Sequence, residues 1–316
     1  MDKTIFTPKK LLAPGISLLI LIVLATLPVW GAGYNVVLVA SILMYIILTV
    51  SWAFFSGPTG YISLAPAAFF GVGIYTAAVL GKSLPLLAMV AAGGLISFIL
   101  ALGVGTITLR LKGIYFAIFT FGLVVLIKEL LLFWEITITG TRGRFVVLES
   151  NTNIYYVMLG IFVALMLTAY FIRRSRLGLA LQSIGENEEA ASHIGVNVTW
   201  VKVITFAISA IFMGMSGAIM ATRWTYVDPY VAFNPLFSFL PVLMALFGGM
   251  GQLYGPVIGA AIFAYTEELL LTKFPYYYML TFGIILVAVI LYLPNGLVGL
   301  IPRLRRRIAG GQRANT

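Results

Sequence analysis

The sequence predicts an all-α, polytopic membrane bundle of about ten spans. Three observations carry that reading. Hydrophobic residues make up 61% of the 316 and charged residues only 9%, against about 25% charged in soluble domains. Apolar runs near the ~20 residues that cross a hydrocarbon layer recur along most of the chain. Lysine and arginine are divided unevenly between alternate loops, as the retention of positive loops in the cytoplasm demands. With no cysteine, disulfide and thiol chemistry are excluded, and one histidine is too few for a histidine-based metal site. The net charge of +10 reflects orientation, since no basic stripe interleaved with aromatics suggests nucleic acid.

Taken in order, the expected spans begin with Gly15 to Gly33, an uncleaved first span behind Lys3, Lys9 and Lys10. Val36 to Phe55, Ile62 to Leu80, Leu84 to Ile107 and Ile114 to Phe133 follow. A polar loop then precedes Ile154 to Ile172. Val201 to Thr222, Leu236 to Phe247, Leu253 to Leu271 and Tyr276 to Leu300 complete the set, with a basic tail at 301–316. The third span is punctuated by glycine and proline and the eighth is short, so both are candidates for broken or re-entrant helices. Ten crossings put both termini on one side. Fourteen of the 20 lysines and arginines fall on that side, which marks it as cytoplasmic.

Two segments echo each other. Phe55 to Gly60 followed by Pro66 is similar to Phe247 to Gly251 followed by Pro256. Interrupted helices at matching positions point to a substrate path, because a broken helix frees backbone N–H and C=O groups. Gly57, Gly60, Ser63, Pro66, Thr120, Gly248, Gly249 and Gly251 are the path candidates. The Gly251, Gly255, Gly259 series favours close helix packing. Lys128-Glu129 and Glu267-Glu268 lie near outer span ends and are expected to form neutralising pairs, such as Glu268 with Lys273. Gly81-Lys82-Ser83 lacks the earlier glycine of a phosphate-binding loop, since position 76 is Thr76. The chain is therefore expected to carry no ATPase site or cofactor of its own.

Ser175 to Thr199 is a polar interruption between two spans and predicts two short helices. Leu177, Leu181 and Ile184 form one apolar stripe. Gly185 is expected to end the first helix in a left-handed conformation. Asn187 suits an N-cap. Glu188 and Glu189 then sit in a first turn and His193 in a last turn, where the helix dipole favours them. Gly195 supplies a stop and Thr199 caps the next span. Helices this short need a surface to pack on.

Glu189-Ala190-Ala191, three residues, then Gly195 matches the EAA-x-x-x-G core of the coupling loop of ABC importer permeases. Arg173 to Gly178, with Ala180, Leu181 and Ile184, extends the match. Further blocks are Gly60 to Leu64 with Ala67 to Gly71, Leu109 to Ala117, Leu246 to Gly251 with Gly255-Pro256, and Leu293 to Leu297. Together they resemble permease subunits of the high-affinity branched-chain amino-acid family, the LivM type. Two departures stand out. Val203 to Phe206 replaces the I-x-L-P ending of the wider motif. Thr139 to Phe145, with Arg142 and Arg144, replaces a T-G-G-x-x-G-L-like segment.

The resemblance implies one transmembrane permease domain with a cytoplasmic coupling loop at 173–200. It implies two ABC ATPase subunits that use the ATP, a second permease chain and an extracytoplasmic binding protein, all at a prokaryotic cytoplasmic membrane. Arg176, Gly178, Glu186, Glu189, Ala190, Ala191 and Gly195 are the implied coupling residues. The basic tail suits anionic lipid. An ABC permease for urea, amides or another small polar solute is the alternative. A proton-coupled secondary transporter lacks the relay of ionisable groups it would need. Gly195→Asp is expected to leave the protein inserted but to uncouple transport from ATP hydrolysis, read as ATPase activity without uptake in reconstituted vesicles.

Overall fold

The computed structural model describes residues 9–277 and positions 280, 283, 284 and 287. Most of the tenth expected span, the Leu293 to Leu297 block and the basic tail lie outside the described residues. The helices are α1 (Lys9–Trp30), α2 (Gly33–Thr59), α3 (Pro66–Leu80), α4 (Leu86–Thr108), α5 (Ile114–Trp134) and α6 (Asn151–Arg174). The short α7 (Arg176–Glu186) and α8 (Glu188–His193) follow, then α9 (Val198–Ala221), α10 (Pro229–Ala232), α11 (Leu236–Gly248) and α12 (Tyr254–Lys273). A π turn, Glu135–Thr139, continues α5. β1 (Arg144–Phe145) pairs antiparallel with β2 (Tyr226–Val227). Among the described residues, six helical stretches are long and apolar enough to cross a membrane. The chain is an all-α membrane bundle.

The centre of the bundle is α9, buried along most of its length between α2, α3 and α4. Lipid tails are as apolar as leucine, so contact between membrane helices must come from close packing. Glycine permits it here. A Cβ on Gly73 of α3 would overlap the Gly214 carbonyl of α9, and one on Gly217 would overlap the Phe70 carbonyl of α3. Ser97 of α4 donates to the Phe69 carbonyl at 3.1 Å. Outward residues of α4 and α5, such as Leu95, Ile99, Ile118 and Leu126, stay exposed, as a lipid-facing surface requires.

The two expected broken spans are broken. Helix α3 has 15 residues and α11 has 13, about 20 Å each at 1.5 Å per residue, short of a ~30 Å hydrocarbon layer. Non-helical chain at 60–65 precedes the first, and α10 with a three-residue link precedes the second. The glycine series acts in packing: Gly255 and Gly259 of α12 abut the backbone of Gly248 and Met244 on α11, while Gly251 faces open space.

The bundle has two chemically distinct ends. One carries α7 and α8, the α2–α3 break, the α4–α5 turn and the α11–α12 turn. We call it the lower end. The upper end carries the β ribbon. There Arg142 pairs with Asp228 at 3.0 Å, and Arg144 approaches the fully buried Glu135 at 3.6 Å. Lys128 pairs with Glu129 at 3.1 Å, as expected. Glu268 does not pair with Lys273. Its carboxylate accepts from the Tyr34 hydroxyl at 3.3 Å, and Lys273 makes no ion pair among the described residues. Five residues apart, the two side chains leave different faces of α12.

Gly217→Ala is expected to destabilise the protein by about 1–3 kcal/mol through overpacking. Gly103→Ala, where a Cβ meets nothing within 4 Å, is expected to be neutral or to gain up to about 1 kcal/mol of helix propensity. Thermal unfolding of the two purified variants checks both.

Candidate functional site

The lower end is built around α7 and α8. Leu181 and Ile184 of the predicted stripe are buried with Ala191 and Val201, and Leu177 packs at their edge. Asn187 joins the helices: its extended backbone ends α7, and its Oδ1 accepts from the N–H groups of Glu189 and Ala190, both at 3.0 Å. Glu188, Glu189 and His193 occupy the expected turns. Gly195 has φ +90 and stops α8.

Two cap assignments are corrected. Gly185 is not left-handed; it lies inside α7, and a Cβ there would overlap the Pro58 carbonyl at the end of α2. Its smallness serves that close approach. Thr199 does not cap α9. Asn197, two residues earlier and the stronger capping type, accepts from the Trp200 N–H at 3.1 Å.

The seat of α8 is an ion pair that the sequence reading missed. Lys202, near the start of α9, donates to Glu188 Oε1 at 2.7 Å, to the Tyr61 hydroxyl at 3.1 Å and to the Leu109 carbonyl at 3.1 Å. Tyr61 in turn donates to Glu188 Oε2 at 2.7 Å. The Lys202 side chain is 3% exposed and that of Glu188 24%. Burial pushes the Glu188 carboxyl up, but the hydrogen bonds from Lys202 and Tyr61 and the Lys202 charge outweigh it and hold the group below its usual range. One cluster thus ties α8 to α9, to the end of α4 and to the α2–α3 break. The available signal was Lys202 itself, a cation at a helix N-terminal end, where the dipole opposes it and a carboxylate must compensate.

The break is held by side chains. Trp52 donates to the Ser63 carbonyl at 2.7 Å, the Leu64 N–H donates to Thr120 at 2.9 Å, and Ser238 donates to the Leu64 carbonyl at 2.8 Å. Ser63 Oγ accepts from the Ala65 N–H at 3.2 Å. Ser63, Pro66 and Thr120 are thereby gathered around one segment and are all buried. Gly57 and Gly251 instead line a cleft of about 230 Å³, together with Gly178, Gln182 and Arg173. Arg173 donates to the Gly251 carbonyl at 3.1 Å there. Gly60 and Gly249 take positive φ, +72 and +93, where α2 and α11 end. Gly248 is buried in the α11–α12 contact. Of the coupling candidates, Gly178 and Ala191 are buried, while Arg176, Glu186, Glu189 and Ala190 are exposed.

A helical membrane bundle with a charged pair of short helices clipped to a broken span defines a component of a membrane transport system. The chain belongs to the family described as the branched-chain amino acid transport system permease component, whose model matches residues 35–290. It is 27% identical over 290 residues to the high-affinity branched-chain amino acid transport system permease protein LivM of Salmonella typhimurium, covering 81% of this chain and 68% of the relative. The LivM protein of Escherichia coli is 27% identical over 297 residues with the same coverage. The LivH protein of Escherichia coli is 29% identical over 140 residues, 44% of each chain. No solved structure matches with significance.

Glu188→Ala leaves the Lys202 ammonium buried without its carboxylate. It is expected to cost roughly 2–4 kcal/mol, a little under the figure for a fully enclosed pair. Because the folded Glu188 is more acidic than the unfolded one, its contribution is full above the ordinary carboxylate pKa and fades only as pH falls through the lower folded value. Hydrogen exchange of residues 187–195 is expected to show protection that persists at mildly acid pH in the wild type and is lost at neutral pH in the variant.

Proposed function

We propose that this chain is one permease subunit of an ABC importer in a prokaryotic cytoplasmic membrane. It passes branched-chain amino acids delivered by an extracytoplasmic binding protein. Two separate ATPase subunits drive it, and a second, different permease chain completes the pore. The observation that carries the reading is the Glu188, Lys202 and Tyr61 cluster, which links an exposed helix pair directly to a broken span.

In this reading the lower end is cytoplasmic, the chain makes ten crossings, and both termini lie inside. The whole chain is one transmembrane domain, with residues 173–200 as its coupling segment and 301–316 as a basic tail on anionic lipid. Arg176, Glu186, Glu189 and Ala190 are exposed and offer the ATPases a contact face, while Gly178, Ala191 and Gly195 shape it. Closure of the ATPases on ATP shifts α7 and α8 together. Glu188 carries that shift to Tyr61 and so to residues 60–65, whose bonds to Thr120 and Ser238 rearrange as access alternates. The path runs past Gly57, Gly60, Ser63, Pro66, Gly248, Gly249 and Gly251. The chain breaks no covalent bond.

Affinity purification from native membranes is expected to recover an ATPase. The reconstituted complex with its binding protein is expected to take up labelled leucine only with ATP inside the vesicle compartment facing the ATPases. Uptake of urea in place of leucine reassigns the cargo. Purification without an ATPase, together with ATP-independent uptake, overturns the reading.

A further inference from the structure

A cavity of about 440 Å³ opens at the upper end between α2, α9, α11 and α12, within the ~300–1,000 Å³ range of small-molecule sites. Its lining is divided by chemistry. Arg223, at the end of α9, stands on one side, and Glu267 and Glu268 of α12 on another. Ile42, Met220 and Phe237 supply apolar surface between them.

The charges face this space without neutralising one another. The Arg223 guanidinium donates to Ser41 Oγ at 2.7 Å. Among the described residues it makes no ion pair. Glu268 takes the Tyr34 hydroxyl. Tyr45, which also lines the cavity, hydrogen-bonds the Glu267 carboxyl, while the buried Oε2 of Glu267 has no hydrogen-bond partner among the described residues. A cation and two acids left apart around an open cavity near a membrane boundary are costly to keep for packing alone. Hydrophobic side chains would fill such a space at less cost. A ligand that carries both charges would satisfy all three.

We propose that this cavity is a binding subsite for a zwitterionic α-amino acid with an apolar side chain. The α-carboxylate lies on the Arg223 guanidinium, whose fork accepts carboxylates in bidentate fashion. The ammonium lies on Glu267 and Glu268, where the unpartnered oxygen takes one of its protons. The aliphatic side chain lies on Ile42, Met220 and Phe237. The inference rests on the permease reading and deepens it, giving solute released at the upper end a first resting place inside the protein. It lies at the opposite end of α2 from the α2–α3 break.

The test uses the assembled transporter, with its ATPases, partner permease and binding protein, in phosphatidylglycerol and phosphatidylcholine nanodiscs. A diazirine analogue of leucine is photolysed on it, and adducts are mapped by mass spectrometry. Adducts are expected on Ile42, Met220 or Phe237. Excess leucine should abolish them, while leucine amide and the deaminated acid, each lacking one charge, should not. Arg223→Gln and Glu267→Gln are expected to cut labelling about tenfold or more, the scale of losing one partner of a desolvated charged contact.

The analogue competition is read on the wild-type protein, so a variant that fails to assemble leaves the answer intact. Normal ATP-driven leucine uptake by the same complex in reconstituted vesicles, with nanodisc adducts only elsewhere, sinks the subsite and spares the transport reading. Saturable, zwitterion-specific labelling without ATP-driven leucine uptake does the reverse. Equal competition by the one-charge analogues overturns the proposal, as does loss of adducts when phosphatidylethanolamine is added, which assigns the charges to a lipid headgroup.

Discussion

The Lys202 ammonium sits almost without water and gives hydrogen bonds to three separate parts of the chain: Glu188 on α8, the Tyr61 hydroxyl in the α2–α3 break, and the Leu109 carbonyl at the end of α4. A lysine has three protons to donate and no capacity to accept, so this site is filled. A buried charge whose partner is removed is far more costly than the pair itself is stabilising. The arrangement therefore acts as a registration device. It permits one position of α8 relative to the break, or a different position in which every partner is exchanged together.

The break itself obeys a second constraint. Non-helical chain buried in a bundle leaves backbone groups without helical partners, and such groups must be satisfied by protein. Trp52, Ser63, Thr120 and Ser238, drawn from α2, the break, α5 and α11, supply those partners. The residues that make the broken span tolerable are thus spread over the bundle. Three of these hydrogen bonds, from Trp52, to Thr120 and from Ser238, tie the same six-residue segment to three different helices.

The upper end uses charge differently. Arg142 and Arg144, which lie in the segment that departs from the family's T-G-G-x-x-G-L-like pattern, are engaged by Asp228 and Glu135. Arg142 and Lys128 both lie over the Tyr230 ring. These contacts pin the 135–145 segment and the β ribbon to the bundle. Arg223, Glu267 and Glu268 stand apart from that network, around open space. The contrast is between charges closed on one another at the β ribbon and charges held apart around a cavity.

Much of this was legible in the chain. Spans defined by apolar length appear within a few residues of the expected helices, because hydropathy is a local property that needs no partner. The Asn187 cap, the Gly195 stop and the Leu181 and Ile184 face follow from residue type and spacing over a single turn or two. Gly185 and Thr199 were misassigned because competing local roles, close approach to Pro58 and the stronger Asn197 cap, depend on what lies across the contact. The link from Lys202 to Tyr61 and the grouping around the Arg223 cavity were out of reach for the same reason. Their partners are separated in sequence by up to 141 and 234 residues. The sequence by itself determined that the chain is a helical membrane bundle with a polar loop built as two capped helices. Only the tertiary structure decided which charge seats that loop and which charges face a cavity, because burial and pairing at long range arise from packing and not from local pattern.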